Sequence, residues 1–288
     1  MLKKRIIANL VVRNGIVVQS IHFKKFLPIG EPAIAVDFLN QWGIDEIILT
    51  DINANILGNP PDFKLIRKVS SKGYVPLTVG GGITQIDQIK ELMHSGADKI
   101  SLNRGAIHNP DLITKAASVF GSQCIIISID AKMEDNEYKV YDYATKKTLN
   151  ISPAQFAKQR EEMGAGEILI NSVERDGSYK GYDINLIQSV CDAVSIPVIC
   201  LGGAKNAKDM IDVFKKTRVT AAAASNFFHF SEHSVITTKA GILKHHNIRI
   251  DTYADYQENT FNEDFRLKKK EDAELEKMLF LKIEKEII

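Results

Sequence analysis

The chain has 288 residues, 44% of them hydrophobic, with 37 lysines and arginines set against 36 aspartates and glutamates. That near-neutral balance argues against a polyanion-binding surface, so nucleic acid is not an expected partner. The apolar content suits a full core, yet no run reaches the roughly 18 apolar residues of a membrane span, so no membrane partner is expected either.

In chain order, MLKKRIIANLVV opens on a basic cluster and an apolar stretch, but Asn9 and Arg13 interrupt it and no small-residue cleavage site follows. It therefore reads as a first strand and not as a signal peptide. Short β-branched runs predict strands beginning near Arg5, Glu46, Val75, Asp98, Cys124, Glu167, Ile196 and Val219. Helical periodicity lies between them, as over 32–42, with Ala35, Val36 and Leu39 on one face, and over 153–163, with Phe156, Ala157 and Met163. Pro32, Pro110 and Pro153 sit where helices would start, a position that tolerates the missing amide.

Eight such units predict a (β/α)8 barrel over residues 1–250. An open doubly wound sheet is the rival fold, but it usually carries its glycine fingerprint after the first strand, where VVRNGIVVQS holds only Gly15. Cys124, Cys191 and Cys200 lie on apolar strand or helix patterns and lack CxxC spacing, so neither a disulfide framework nor a metal site is expected, and a reducing cytoplasm fits. From Asp251 the alternation gives way to a charged extension, 251–288. Its last stretch reads either as an amphipathic docking helix, with Leu275, Met278, Leu279 and Ile283 along one side, or as a solvated tail.

The barrel segment is one half-sequence written twice. EIILTDINAN from Glu46 answers EILINSVERDG from Glu167, an offset of 167 − 46 = 121, and RIIANLVV from Arg5 answers IIISIDAK from Ile125. VPLTVGGGI answers IPVICLGGA with Gly81 opposite Gly202, and ADKISLNRG answers VTAAAASNF with Asn103 opposite Ser225. Glycine lets backbone N–H groups approach an anion, and a following helix N-terminus adds its positive end. Gly81, Gly82, Asn103 and Arg104 in one half, and Gly177, Gly202, Gly203, Ala224 and Ser225 in the other, are therefore candidate phosphate ligands. Two such sites imply a phosphorylated small molecule with an anion at each end.

Active sites of such barrels lie at the C-terminal ends of the strands. Asp51, Asp130 and Asp176 stand there, able to move protons or to accept bonds from substrate hydroxyls. Asp130 is the main catalytic candidate because it ends the buried-looking run IIISID, where desolvation would tune its pKa. Bracing a neighbouring loop is its alternative role.

The motifs KRIIANL, TVGGGI, GADKISLN, FGSQ, AIHNPDLI, GAGEILINS, RDGSYKGYD and AAAASNFFHF together resemble the cyclase subunit of imidazole glycerol phosphate synthase, over almost all of residues 1–250. The resemblance implies a cofactor-independent barrel that receives ammonia from a separate glutaminase subunit and passes it to a bisphosphorylated ribulosyl nucleotide at the top. It implies a ring of alternating charges at the lower end, here Arg5, Glu46, Lys99 and Glu167, serving as an ammonia gate. It also implies glutaminase contacts at Asp98 and Gln123.

Several positions depart from the family pattern. Of the two catalytic aspartates, Asp130 fills one place and Val11 stands in the other. Gln19 replaces a lysine in the first loop, Asn9 and Leu201 replace small residues, and Arg104 replaces a small hydroxyl residue. Scaffold and gate kept with half the cyclase chemistry missing resemble the paralogues associated with surface-polysaccharide synthesis, which supply ammonia to an amidotransferase that builds an acetamidino sugar. The charged extension would then be a contact for that third protein. Two alternatives stay open: an authentic cyclase of histidine synthesis using Asp130 with a substitute such as Asp51, and a non-catalytic barrel that activates the glutaminase.

Overall fold

Eight parallel strands close on themselves. The computed structural model describes residues 3–230, 233–250, 254, 256–263, 265–268 and 270–279. Its strands are β1 (Arg5–Arg13), β2 (Ile16–Ile21), β3 (Lys25–Gly30), β4 (Glu46–Asp51), β5 (Leu77–Gly80), β6 (Lys99–Leu102), β7 (Ile125–Glu134), β8 (Glu137–Asp142), β9 (Lys147–Thr148), β10 (Glu167–Ser172), β11 (Val198–Leu201) and β12 (Ala221–Ala224). The parallel pairings run β1-β4-β5-β6-β7-β10-β11-β12 and return to β1, so these eight form a (β/α)8 barrel with helices outside.

Four strands lie off the barrel, and they shape its mouth. β1 and β7 are longer than the other barrel strands, and each runs past the rim into a hairpin. The turns are Asn14-Gly15 and Asp135-Asn136, all four residues with positive φ, which is what two-residue hairpin turns require. Equivalent turns therefore recur at 135 − 14 = 121, so the repeat extends to these loops.

Two apolar clusters divide the work of folding. The larger lies between the strands and the helix shell, for example Ile6, Leu10, Ile47, Leu49, Ile127 and Ile168 against Val36, Ile89 and Leu186. A separate cluster, Ile7, Ile48, Ile126, Leu169, Ile199, Leu201, Ala221 and Ala223, fills the barrel interior. The same strands feed both because successive side chains point to opposite faces.

Several strands start one or two residues later than the sequence suggests. Pro76 and Pro197 have no N–H to donate, so their carbonyls accept from Ile47 and Ile168 while the strands proper begin at Leu77 and Val198. Cys124 closes a 3-10 turn, Ser122–Cys124, instead of lying in a strand or helix. The expected helices are Pro32–Gln41 and Pro153–Glu162, the second capped by Ser152, whereas Pro110 caps Asp111–Phe120 from outside. In the extension, a helix spans Asp272–Leu279 with Leu275 half-buried. The side chains of Met278 and Leu279, and Ile283 entirely, lie outside the described residues. Among the described residues no helix is long and apolar enough to cross a membrane.

One buried ion pair fastens the helix Ser234–Leu243 to the segment that leads into β4. Lys239, with no exposed surface, donates to Asp45 Oδ1 and to the Gly43 carbonyl, each at 2.6 Å, while Asp45 Oδ2 accepts the Ile6 amide at 2.7 Å. Truncating one partner of such a pair strands a buried charge. Lys239→Met is therefore expected to cost about 3–5 kcal/mol, read as a lowered urea midpoint. A cost near zero would mean that Arg249, whose Nε lies 3.9 Å from Asp45, takes over.

Candidate functional site

At the floor of the barrel, the first inward residues of four strands form a closed ionic cycle. Arg5 donates to Glu46 at 2.5 Å and to Glu167, and Lys99 bonds both carboxylates at 3.2 Å. Thr220 Oγ1 accepts a further Arg5 N–H at 3.1 Å. The carboxylates are buried and the cations only about a quarter and a fifth exposed, so each charge depends on its two neighbours. All four sequence-predicted gate residues therefore meet. Asp98 and Gln123 are exposed at the same end, where Asp98 Oδ2 also accepts the Leu77 amide at 2.8 Å.

At the opposite end a cavity of about 110 Å³ opens at the mouth. Asp130, Asn9, Val11, Asn171, Asp51, Gly81, Gly82, Asn103, Arg104 and Asp176 line it, joined by Phe23, Phe26, Tyr143 and Asp142 from the hairpin loops. A smaller adjoining cavity is lined by Asp176, Gly177, Gly202, Gly203, Ala224 and Ser225. The candidate phosphate ligands, Asp51, Asp130, Asp176 and Val11 thus each line one of these two adjoining cavities, whereas Gln19 lines neither.

The two glycine turns are built alike. A Cβ on Gly81 (φ +107°) would stand 2.2 Å from the Asp51 carbonyl, and one on Gly202 (φ +99°) 2.9 Å from the Ser172 carbonyl. Asn103 (φ −111°, ψ −80°) and Ser225 (φ −106°, ψ −86°) share an unusual backbone conformation just beyond their strands. Only glycine fits where the turn must both adopt positive φ and pass this close to a neighbouring strand end.

Asp130 is held at both carboxylate oxygens. Asn171 Nδ2 donates to Oδ1 at 3.0 Å and Asn103 Nδ2 to Oδ2 at 3.1 Å. Burial nevertheless pushes its pKa up to about 7; the two amide bonds pull it down, and nearby Asp176 and Asp142 add to the rise. A carboxyl half-ionised near neutrality can give or take a proton at the cavity floor. Val11, also lining the cavity, cannot.

The other acids are more engaged. Asp51 Oδ1 accepts the Asn53 and Ala54 amides at 2.8 and 3.2 Å, which shapes its own loop. Asp176 accepts Ser20 Oγ at 2.7 Å and the Phe23 amide at 3.1 Å, while Asn226 both donates to and accepts from the Ser20 backbone. The first hairpin loop is thereby tied to the second half of the barrel. Gln19, in the loop position expected for lysine, reaches Tyr179 at 3.4 Å.

Sequence reasoning missed the hairpin contributions. Asp142 is buried and accepts from His108 Nε2 at 2.9 Å and from the Ala144 amide at 2.9 Å. Phe23 packs edge-on against Tyr143, centroids 5.6 Å apart, and Arg13 lies 4.9 Å from the Phe26 ring. Asn14-Gly15 and Asp135-Asn136 were the available signals for these loops; nothing local marks which loop side chains turn inward.

A profile of the family described as "Histidine biosynthesis protein" matches residues 5–234. The chain belongs to that family. It is 43% identical to a Vibrio vulnificus protein named "Putative imidazole glycerol phosphate synthase subunit hisF2", over 92% of this chain and 97% of that one. It is also 38% identical to the imidazole glycerol phosphate synthase subunits HisF of Methanopyrus kandleri, covering 83% of this chain and 94% of that protein, and of Streptococcus mutans, covering 87% and 100%. The chain is thus a HisF homologue across its barrel.

The raised pKa of Asp130 has a consequence for stability. Its folded value, about 7, lies above the ordinary 3.8, so the folded state holds the proton more tightly. The associated stability is fully present below the ordinary value, falls as pH rises between the two, and is gone above the folded one. Asp130→Asn is expected to unfold at higher urea than the parent at pH 8, by on the order of a few kcal/mol, with the gap shrinking towards pH 5. An equal gap at both would refute the shift.

Proposed function

We propose that this chain is the synthase-type subunit of a glutamine-dependent amidotransferase complex. A glutaminase docks beneath the barrel, ammonia crosses along its axis, and a phosphorylated acceptor receives it at the mouth. The observation that carries this reading is the closed ring of Arg5, Glu46, Lys99 and Glu167 on the same axis as the apolar interior and Asp130. The HisF relatives, named as imidazole glycerol phosphate synthase subunits, support it.

The physical logic runs from floor to rim. Asp98 and Gln123 offer a polar docking margin around the ring. Lys99 is its movable member, since a single ammonium on a flexible stem lets go more easily than an arginine fork. Above the ring an apolar layer favours neutral ammonia over ammonium, whose charge would have to leave water unpaired. Ala221 and Ala223 are the smallest members of that layer. At the mouth the two glycine turns, aided by Arg104, would hold anions at either end of the acceptor, with Asp130 between them moving the proton.

We further infer a role outside histidine synthesis, delivering nitrogen to an acetamidino-sugar amidotransferase in the cytoplasm. What supports this is Val11: losing one of two acid–base groups typically costs about a hundredfold to ten-thousandfold in a cyclisation, but costs nothing in conduction. The second reading, an authentic cyclase, draws on the HisF relatives, with the free oxygen of Asp51 as the substitute group.

Two experiments separate these. Expression with a cognate glutaminase in a host lacking its own cyclase subunit is expected not to restore growth without histidine; growth would favour the authentic cyclase. With amide-labelled glutamine and a scavenger for free ammonia, label is expected in the acceptor product, and its absence would leave a barrel that merely activates the glutaminase. Lys99→Ala is expected to preserve glutamine hydrolysis while lowering nitrogen transfer several-fold. Equal loss of both would make the ring purely structural.

A further inference from the structure

The two halves of the barrel differ at their glycine turns in how much space adjoins them. At the second turn the adjoining cavity holds only about 20 Å³, with Tyr179, Asn226 and Phe227 in its wall. At the first turn, besides the mouth cavity, lies a cleft of about 510 Å³ between the segments that follow β4, β5 and β6. Gly82, Arg104 and Gly105 line both the cleft and the mouth cavity, so they form the wall between the two. The repeat supplies the cause of the difference, because Asn226 stands opposite Gly105, at 226 − 105 = 121. Asn226 is buried and bonds the Ser20 carbonyl at 2.7 Å and the Ser20 amide at 3.2 Å. Gly105 has no left-handed φ that would call for glycine, and a Cβ there would stand 3.2 Å from the Ile83 carbonyl and 3.6 Å from Leu112. What Gly105 contributes is room.

The chemistry of the cleft says what the room suits. It presents the amides of Asn59, Gln85, Gln88 and Asn109 together with Arg104 and His108, and no aspartate or glutamate is among the described residues that line it. The mouth cavity, by contrast, holds Asp51, Asp130, Asp142 and Asp176. An anion at the shared wall therefore has carboxylates on one side and a guanidinium with neutral donors on the other. A planar guanidinium fork suits the oxygens of a phosphate, and side-chain amides, which both donate and accept, suit hydroxyls. A phosphate that ended at the turn would use none of the cleft beyond it.

We propose that the acceptor continues past the anion at the first glycine turn, which is a phosphodiester or diphosphate link, and seats a hydroxyl-bearing group in the cleft. The proposal rests on the reading of the two turns as phosphate sites given above. Arg104 then takes oxygens of the link at the wall, while the amides of Asn59, Gln85 and Asn109 meet hydroxyls of the group beyond it. The reacting part of the acceptor stays in the mouth cavity between its two anions, beside Asp130. The second turn, with little space around it, takes an anion that goes no further.

The test is calorimetric titration of the full chain with four probes. Ribose 5-phosphate and inorganic pyrophosphate end in their phosphates, whereas ADP-ribose and UDP-glucose carry a diphosphate flanked on both sides by hydroxylated groups. At least one of the latter two is expected to bind about tenfold more tightly than either terminal phosphate. Asn59→Trp and Asn109→Trp each put an indole into the cleft, from the segments after β4 and β6, and neither residue lines the mouth cavity. In both variants that advantage is expected to be lost while ribose 5-phosphate binds as before, with circular dichroism reporting that each is folded. Equal affinity for linked and terminal phosphates, or an advantage that a folded variant of each kind retains, would overturn the cleft and leave the anion sites standing. Binding of none of the four would fault the anion sites themselves, and the cleft with them.

Discussion

Closure of the barrel is the constraint from which the rest follows. Once eight parallel strands bond in a ring, every second side chain must share one narrow axis, and no water is available to solvate what is placed there. Polar residues on that axis must therefore pair with one another or sit at an end. The floor solves the problem by alternating charge, so that Arg5 and Lys99 each answer both Glu46 and Glu167. The middle is filled with Ile7, Ile48, Ile126, Leu169 and Ile199. The rim uses side-chain amides around a buried carboxyl, Asp130. A gradient from charged to apolar to polar is thus imposed by geometry before any chemistry is considered.

That gradient explains how Val11 is accommodated. Val11 is nine-tenths buried and pairs in register with Val18 as β1 leaves the rim, so it packs the hairpin as well as lining the cavity. An aspartate there would add another carboxyl to a cavity that already contains Asp130, Asp142 and Asp176, and like charges in low dielectric drive one another to hold protons. The chain instead keeps Asp142 fully bonded to His108 and the Ala144 amide, and net its pKa lies below the ordinary value despite its burial. One carboxyl raised to about 7 by burial beside Asp142, held below the ordinary value, is a consistent electrostatic arrangement, and it differs from one built on two matched acids.

The sequence made the barrel legible because its signal is periodic and doubled. Hydrophobic alternation located all eight strands, and the offset of 121 residues paired Gly81 with Gly202, which the strand-end contacts of both glycines reproduce. Strand starts slipped where Pro76 and Pro197 supply an acceptor but no donor. The mouth was less legible. Asp51 and Asp176 are at the expected ends, but that their oxygens brace loops depends on backbone amides whose positions no residue type announces. The convergence of Phe23 with Tyr143, more than a hundred residues away in the chain, depends on two hairpins meeting in space.

Those hairpins carry the last consequence of the repeat. Each is an extension of a barrel strand, so each leaves the rim in a direction fixed by the barrel, and strands β1 and β7 lie on opposite sides of it. The segments that follow their returning strands bring Phe23 and Tyr143 together at the mouth, where both line the cavity. The first is also fastened at its base, by Asp176 and Asn226 gripping Ser20. Phe23, Phe26 and Tyr143 therefore share one cavity with Asn9, Asn171 and Asp130, with one glycine turn in its wall and the other in the wall of the adjoining cavity. On the proposed reading, a ligand with anions at both ends would set them at the two glycine turns, with its middle beside the aromatic rings.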